Sequence, residues 1–214
     1  MENNQTAVSI FNKLADLYQS KFMDVSLYGD TFDSFCSLIQ TNNAEILEIA
    51  CGPGNITRYL LNKRPNFKIT GVDLAPNMIS LARKNNPEAE FQVMDARDIG
   101  KIDKLFDGIV CGFCLPYLNI NETAQLISNV SKLLKQGGIF YLSTIEDDYE
   151  NSGFKKGSSG DEIFMHYYTS RYLSDELKNH GFSIIDKQYK KYPAPGGTET
   201  IDVVIIAKKQ RTIC

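Results

Sequence analysis

Apolar positions along this chain follow two rhythms. Over residues 5–40 they recur at helical spacing: Val8, Phe11, Leu14, Ala15, Tyr18 and Phe22, then Phe32, Phe35, Leu38 and Ile39. That spacing predicts two helices with a break near Tyr28-Gly29-Asp30, where Gly and Asp favour a turn. From residue 45 short apolar runs alternate with helix-like stretches. Glu45–Ile49, Lys68–Val72, Glu90–Met94, Gly108–Cys111 and Gly138–Ser143 read as strands. Ile56–Asn62, Pro76–Asn85 and Thr123–Lys135 read as helices, with Gly137-Gly138 placed to stop the last one as a C′ glycine would. Alternation of this kind predicts a parallel sheet with right-handed crossovers.

The final third changes character. Thr169–His180 predicts a short helix, with Thr169 or Ser170 as N-cap and Gly181 after its end. Two strand-like runs follow, Phe182–Tyr192 and Thr200–Lys208, separated by little more than Pro193-Ala194-Pro195-Gly196-Gly197. So short a link cannot hold a helical crossover, so these strands form an antiparallel hairpin. The expected fold class is α/β: a Rossmann-like, doubly wound, seven-stranded, mainly parallel sheet ending in an antiparallel hairpin, with N-terminal cap helices. The polar, Gly/Ser-rich stretch 146–168 reads as a loop, functional or disordered.

Composition narrows the class. A chain of 214 residues fits one domain, 1–214, with a helical cap at 1–42, a core at 43–145, a lid or substrate segment at 146–168 and a C-terminal helix and hairpin at 169–214. Hydrophobic residues at 43% and a net charge of −3 describe an ordinary globular protein with no general pull toward nucleic acid or an anionic membrane. No apolar run approaches the ~18 residues of a membrane span. The N-terminus lacks a basic start and an unbroken apolar segment, so it does not read as a signal peptide. Five scattered cysteines then suit free thiols in a reducing, cytoplasmic setting. A monomer or homodimer is expected.

The chemistry concentrates at strand ends. Ile46–Leu61 reads apolar strand, small-residue turn Ala50-Cys51-Gly52-Pro53-Gly54, then helix. Ligands of open α/β sheets bind beyond the carboxyl ends of strands, and glycine lets a ligand approach the backbone there. Asp73 closes the second strand, where a carboxylate can accept hydrogen bonds from both ribose hydroxyls. Asp95-Ala96 closes the third; the carboxylate suits an exocyclic amine and the alanine leaves room for a flat ring. A nicotinamide dinucleotide is the rival cofactor, but Thr57 occupies the third glycine position of that fingerprint.

From about residue 8 to residue 208 the chain resembles the class I S-adenosylmethionine-dependent methyltransferases. Glu48-Ile49-Ala50-Cys51-Gly52-Pro53-Gly54 is similar to that family's acidic-x-Gly-x-Gly-x-Gly run, with Ala50 replacing the first glycine. Phe106–Leu118 resembles its fourth-strand motif, though Pro116-Tyr117 stands where many members carry His. Leu133–Ser143 is similar to its helix end, glycine pair and fifth strand. The resemblance implies S-adenosyl-L-methionine as cofactor, with Ala50, Gly52 and Gly54 beside its amino-acid end, Glu48 near its ammonium through the loop or a water, and Tyr18 reaching its carboxylate. It implies Asp73 on the ribose, Leu74 and Met78 beside the adenine, Asp95 on the adenine amine with Ala96 next to it, and Cys111 at the cleft. The implied reaction is methyl transfer to O or N of a small molecule by in-line displacement. The alternatives are a non-catalytic S-adenosylmethionine-binding protein or a nicotinamide-dependent oxidoreductase.

His166 is the candidate general base, because its ordinary pKa suits proton removal near neutrality. A structural role is the bland alternative. Tyr117, Glu146, Tyr167, Tyr168 and Arg171 are candidate substrate contacts. Cys111-Gly112-Phe113-Cys114 has dithiol spacing but reads as small buried residues. One such pair and two histidines make no structural zinc site, so no metal is expected.

Overall fold

The computed structural model describes residues 2–156, 160–193 and 199–211, with side chains from residue 7 onward. The chain opens with three helices, α1 (Glu2–Lys13), α2 (Ala15–Phe22) and α3 (Gly29–Leu38). The helical rhythm is therefore cut twice, at Leu14 and over Met23–Tyr28, rather than once. Then come β1 (Glu45–Ile49), α4 (Asn55–Lys63), β2 (Lys68–Asp73), α5 (Pro76–Asn85), β3 (Glu90–Val93), β4 (Phe106–Gly112), α6 (Ile120–Leu133) and β5 (Leu134–Ile145). A small hairpin, β6 (Gly153–Lys156) and β7 (Glu162–Met165), precedes α7 (Ser170–Asn179), β8 (Phe182–Pro193) and β9 (Glu199–Lys209).

Seven strands form one sheet in the order β3-β2-β1-β4-β5-β9-β8. Strands β1 to β5 pair in parallel, and β9 runs antiparallel to both β5 and β8. This is the expected doubly wound sheet with its closing hairpin. The turn at 194–198 lies outside the described residues. The order reverses at β1, leaving a crevice between the ends of β1 and β4, where loops leave to opposite faces.

The inner strands β1, β4, β5 and β9 are buried on both faces because both are covered, whereas the edge strands β3 and β8 are largely exposed. Adjacent residues divide between two cores. Leu47, Ile109, Phe140 and Leu142 join α6 and α7 in one, whereas Ile46, Val110 and Tyr141 join α3 and α4 in the other. Helix α6 begins earlier than expected, at Ile120. Asn119 accepts the Asn121 and Glu122 N–H groups at 3.0 Å each, and the Glu122 carboxylate returns to the Asn119 N–H at 2.8 Å.

Two local expectations are corrected. Gly137-Gly138 does not end α6: the helix stops at Leu133 and the glycines lie inside β5. There the register to β4 slips between Leu134 and Ile139, with Gly137 at φ +79°. The glycines serve a strand irregularity, which costs a side-chain-bearing residue more than it costs glycine. Stretch 146–168 is not a plain loop. Within it a hairpin pairs Gly153 with Met165 and Lys156 with Glu162.

Candidate functional site

The turn after β1 is held in a conformation few side chains accept. Ala50, Gly52 and Gly54 have φ of +55°, +51° and +78°. A Cβ on Gly54 would lie 2.3 Å from Asn86 Nδ2, so only glycine fits. From α5 and the residue after it, the Asn85 side chain donates to the Pro53 carbonyl at 2.8 Å and Asn86 to the Gly54 carbonyl at 2.9 Å. Asn55 donates to the Phe22 carbonyl at 2.8 Å, tying the turn to α2. No sequence signal marked these three asparagines, because their partners are backbone carbonyls remote along the chain.

Asp73 is the hinge of the site. One oxygen accepts the Gly52 N–H at 2.9 Å, the other the Ala75 N–H at 2.8 Å. Burial raises its pKa despite these bonds. Glu48 lies beneath the turn, 1% exposed. The Thr57 hydroxyl donates to its Oε2, while Oε1 is buried with no partner. Burial pushes its pKa up to about 8 against the Thr57 bonds.

A cavity runs over the ends of β1 to β4. Of the expected residues it is lined by Tyr18, Ala50, Gly52, Asp73, Leu74, Met78, Asp95, Ala96 and Tyr117. Phe113, at φ +54°, and Cys114 also face it, as do Ala7, Val8 and Phe11 of α1. Phe113 escaped sequence reading because its strained backbone leaves no mark in residue type. Tyr18 covers Gly52, and burial with the nearby Asp73 charge raises its pKa to about 12.

Asp95 caps the turn that follows it and is not a bare acceptor. It takes the Arg97 backbone N–H at 2.9 Å and is gripped by the Arg97 guanidinium, which also reaches Glu122 at 3.2 Å. Burial would raise the Asp95 pKa, but Arg97 overcomes that and holds it low. Arg97 was not foreseen. Its signal was the Asp-x-Arg spacing, which lets the side chain fold back on the carboxylate.

A second cavity, of about 300 Å³, adjoins the first. It lies between α1–α2 and the β6–β7 hairpin, and the two share Phe11, Tyr18 and Tyr117. The Phe11 ring meets Tyr18 and Tyr117 edge-on at 5.9 and 5.1 Å.

Several expected residues lie elsewhere. Gly54 caps α4 and lines neither cavity. Cys111 is fully buried in the core rather than at the cleft, since its side chain lies on the sheet face covered by α6 and α7. Its partner Cys114 reaches the cavity instead, with its thiol pKa pushed up by a hydrogen bond with Cys111 and by burial.

His166 is turned away from both cavities. Along β7 and just beyond it, Ile163 and Met165 face the second cavity, so Phe164 and His166 point to the opposite side. There His166 stacks on Tyr149 at 5.7 Å and meets Phe164 at 4.9 Å, and burial lowers its pKa. Tyr168 is a core residue, 1% exposed, hydrogen-bonded to Thr123 at 3.0 Å and to the Leu118 carbonyl. The Glu146 carboxylate accepts the Ser170 N–H at 3.3 Å, Tyr167 lies beneath Lys155, and Arg171 is exposed on α7. None of these four lines either cavity. Among the described residues no cluster of His, Cys, Asp or Glu is arranged to hold a metal ion, and no helix is long and apolar enough to cross a membrane.

A glycine turn at a topological switch point, with carboxylates closing the next two strands, defines a nucleotide-type cofactor domain. Residues 46–138 match the family profile described as a methyltransferase domain. The demethylmenaquinone methyltransferase of Thermotoga maritima is 30% identical over 62% of this chain and 58% of its own length. A SAM-dependent methyltransferase from Methanosarcina mazei superposes with a TM-score of 0.70 at 23% identity, over 81% of this chain and 96% of that one. The 1,6-didemethyltoxoflavin-N1-methyltransferase of Burkholderia thailandensis, with 1,6-didemethyltoxoflavin and S-adenosylhomocysteine bound, superposes with a TM-score of 0.69 at 20% identity, over 98% and 90%. The chain spans about 56–60% of the length of the first curated relatives it matches. Over residues 46–138 the chain is thus similar to the methyltransferase-domain family, and its fold is that of the S-adenosylmethionine-dependent methyltransferases it superposes on.

Proposed function

We propose that this protein transfers a methyl group from S-adenosyl-L-methionine to an oxygen or nitrogen of a small molecule. The observation that carries this reading is one continuous cavity, with the Gly52 backbone in its wall, the Asp73 carboxylate beside it and the Asp95-Ala96 pair further along. The residues fit the cofactor. Each Asp73 oxygen has accepted one backbone N–H and keeps a lone pair for a ribose hydroxyl. Leu74, Met78 and Met94 offer an apolar seat for the adenine ring. Asp95, fixed by Arg97, keeps acceptor capacity for its amine. The unpartnered Glu48 Oε1, buried beneath the turn, suits an ammonium group reached through a water.

Bound S-adenosylmethionine supplies a methyl group activated by a sulfonium. The chain's own part is alignment and exclusion of water. Phe11, Tyr18 and Tyr117 form an aromatic wall where the two cavities meet, so an acceptor in the second cavity would approach along that wall. Alignment of this kind supplies about 7–11 kcal/mol of barrier lowering, so an acceptor with no proton to lose needs no protein base. Thr57, at the position where a dinucleotide site has its third glycine, is committed to Glu48 beneath the turn, which weighs against the nicotinamide reading. Four buried free thiols, Cys36, Cys51, Cys111 and Cys114, suit a reducing compartment.

The test is ligand-induced stabilisation. S-adenosylhomocysteine should raise the melting temperature and NAD(H) should not. No response to S-adenosylhomocysteine at millimolar concentration would overturn the reading. Acceptor screening with labelled S-adenosylmethionine then separates catalysis from binding alone.

A further inference from the structure

The second cavity has a chemical character of its own. Its walls are apolar: Ile10, Leu14 and Leu17 from the N-terminal helices face Ile163 and Met165 from β7. Leu17 is 42% exposed, so apolar surface is left open to solvent at the entrance. The polar groups at the rim are few. Lys21 comes from α2, and Lys155 and Lys156 come from β6. Lys155 pairs with Ile163 across the hairpin and therefore shares its cavity face. Lys155 Nζ also lies 5.4 Å from the Tyr167 ring, a contact weak enough to yield to an anion. Asp161 is the one carboxylate among the lining residues. Its Oδ1 is 3.6 Å from Lys13, while its Oδ2 is buried with no hydrogen-bond partner.

In a chain of net charge −3, the lining holds Lys21, Lys155 and Lys156 against one carboxylate, and with Glu162 opposite Lys156 on the outer face of the hairpin the positive excess lies on the Lys155 side of the rim. Such a rim attracts an anion. The buried Oδ2 asks for the opposite kind of contact. A buried acceptor without a donor costs about 1–3 kcal/mol, so a guest bearing a hydroxyl gains by meeting it.

We propose that this cavity takes a flat, largely apolar acid that also carries a hydroxyl, the class of hydroxylated aromatic or conjugated carboxylates. The carboxylate lies toward Lys21 and Lys155, the hydroxyl donates to Asp161, and the ring rests against Leu14, Ile163 and Met165. This assignment rests on the methyltransferase reading, since it makes the guest the methyl acceptor: its hydroxyl oxygen takes the methyl, the sulfur–methyl bond breaks to leave S-adenosylhomocysteine, and the hydroxyl proton passes to Asp161.

The experiment is calorimetric titration with 6-hydroxy-2-naphthoate, 2-naphthol and 2-naphthoate, with and without saturating S-adenosylhomocysteine. The hydroxy acid should bind at least about tenfold more tightly than either probe lacking one group, the size of one good polar contact. The double variant Lys21→Glu/Lys155→Glu should erase its advantage over 2-naphthol. Asp161→Ala should erase its advantage over 2-naphthoate. Leu14→Trp, or Met165→Trp if the first variant melts early, should abolish binding of all three and leave S-adenosylhomocysteine affinity within about twofold. Equal affinities for the three probes, or binding that survives both tryptophan variants, would overturn the assignment. Failure of the wild-type protein to bind S-adenosylhomocysteine would overturn the methyltransferase reading, and the acceptor role with it, even if the probe preferences held.

Discussion

The carboxylate of Asp73 and the backbone N–H of Gly52 meet at 2.9 Å across 21 residues of chain. This bond joins the end of β2 to the turn after β1. It does two jobs, because the group that shapes the turn is also the one offered to a ribose.

Asp73→Ala should therefore weaken S-adenosylhomocysteine binding by an order of magnitude or more and also lower stability. Removing the carboxylate leaves the Gly52 and Ala75 N–H groups without their acceptor, at about 1–3 kcal/mol each if water does not replace it. Calorimetry and a denaturant melt on the same variant separate the two effects. Unchanged affinity would remove Asp73 from the cofactor site.

Ala50 stands at φ +55° where glycine is the unstrained choice. A left-handed conformation costs an L-residue about 1–2 kcal/mol, and greater freedom of glycine in the unfolded chain returns about 0.4–1. Ala50→Gly should raise stability by up to about 1 kcal/mol, or roughly 2–4 °C in Tm. Gly54→Ala should do the reverse by about 2 kcal/mol or more, since its Cβ would collide with Asn86 Nδ2. Urea melts of both variants check the pair.

Glu48 gives a pH dependence with a defined sign. Its folded pKa of about 8 lies above the ordinary 4.5. A carboxyl group raised in this way contributes stability below the unfolded value and loses it as pH climbs toward the folded one. Stability of the ligand-free protein should fall between about pH 4.5 and 8, with this group adding a slope of up to about 1.4 kcal/mol per unit. Asp73 and Asp202 are raised as well and slope the same way, so Glu48→Gln should reduce the dependence without abolishing it. Melts at four or five pH values would show an unchanged slope if Glu48 is not so perturbed.

Tyr168→Phe should act on the fold and not on ligands. It would leave the buried Thr123 hydroxyl and the Leu118 carbonyl short of a partner, a loss of about 1–3 kcal/mol. S-adenosylhomocysteine affinity should stay within about twofold. A stability unchanged from wild type, with weaker ligand binding, would return Tyr168 to the site.

The alternation of strands and helices from β1 to β5, the antiparallel finish and the turn Ala50–Gly54 were legible from sequence, whereas the second break among the N-terminal helices and the β6–β7 hairpin were not. Each legible feature is a local pattern with a local cause: period, β-propensity, a link too short for a crossover, glycine where the backbone turns back. The cavity residues that could be named in advance, such as Gly52, Asp73 and Asp95, sit at strand ends, where topology alone dictates the crevice. The rest depended on contacts between segments far apart in the chain. Whether His166 or Met165 faced the cavity turned on the register of β7 in a hairpin with weak apolar alternation. Tyr168 belonged to the core because Thr123 and Leu118 arrive beside it from α6 and the turn before it. The pairing of Arg97 with both Asp95 and Glu122, and the strained Phe113 at the cavity wall, were likewise settled only on folding. Local energetics choose the element and its ends. The direction of a side chain is decided by the partner that covers it, and that partner exists only in three dimensions.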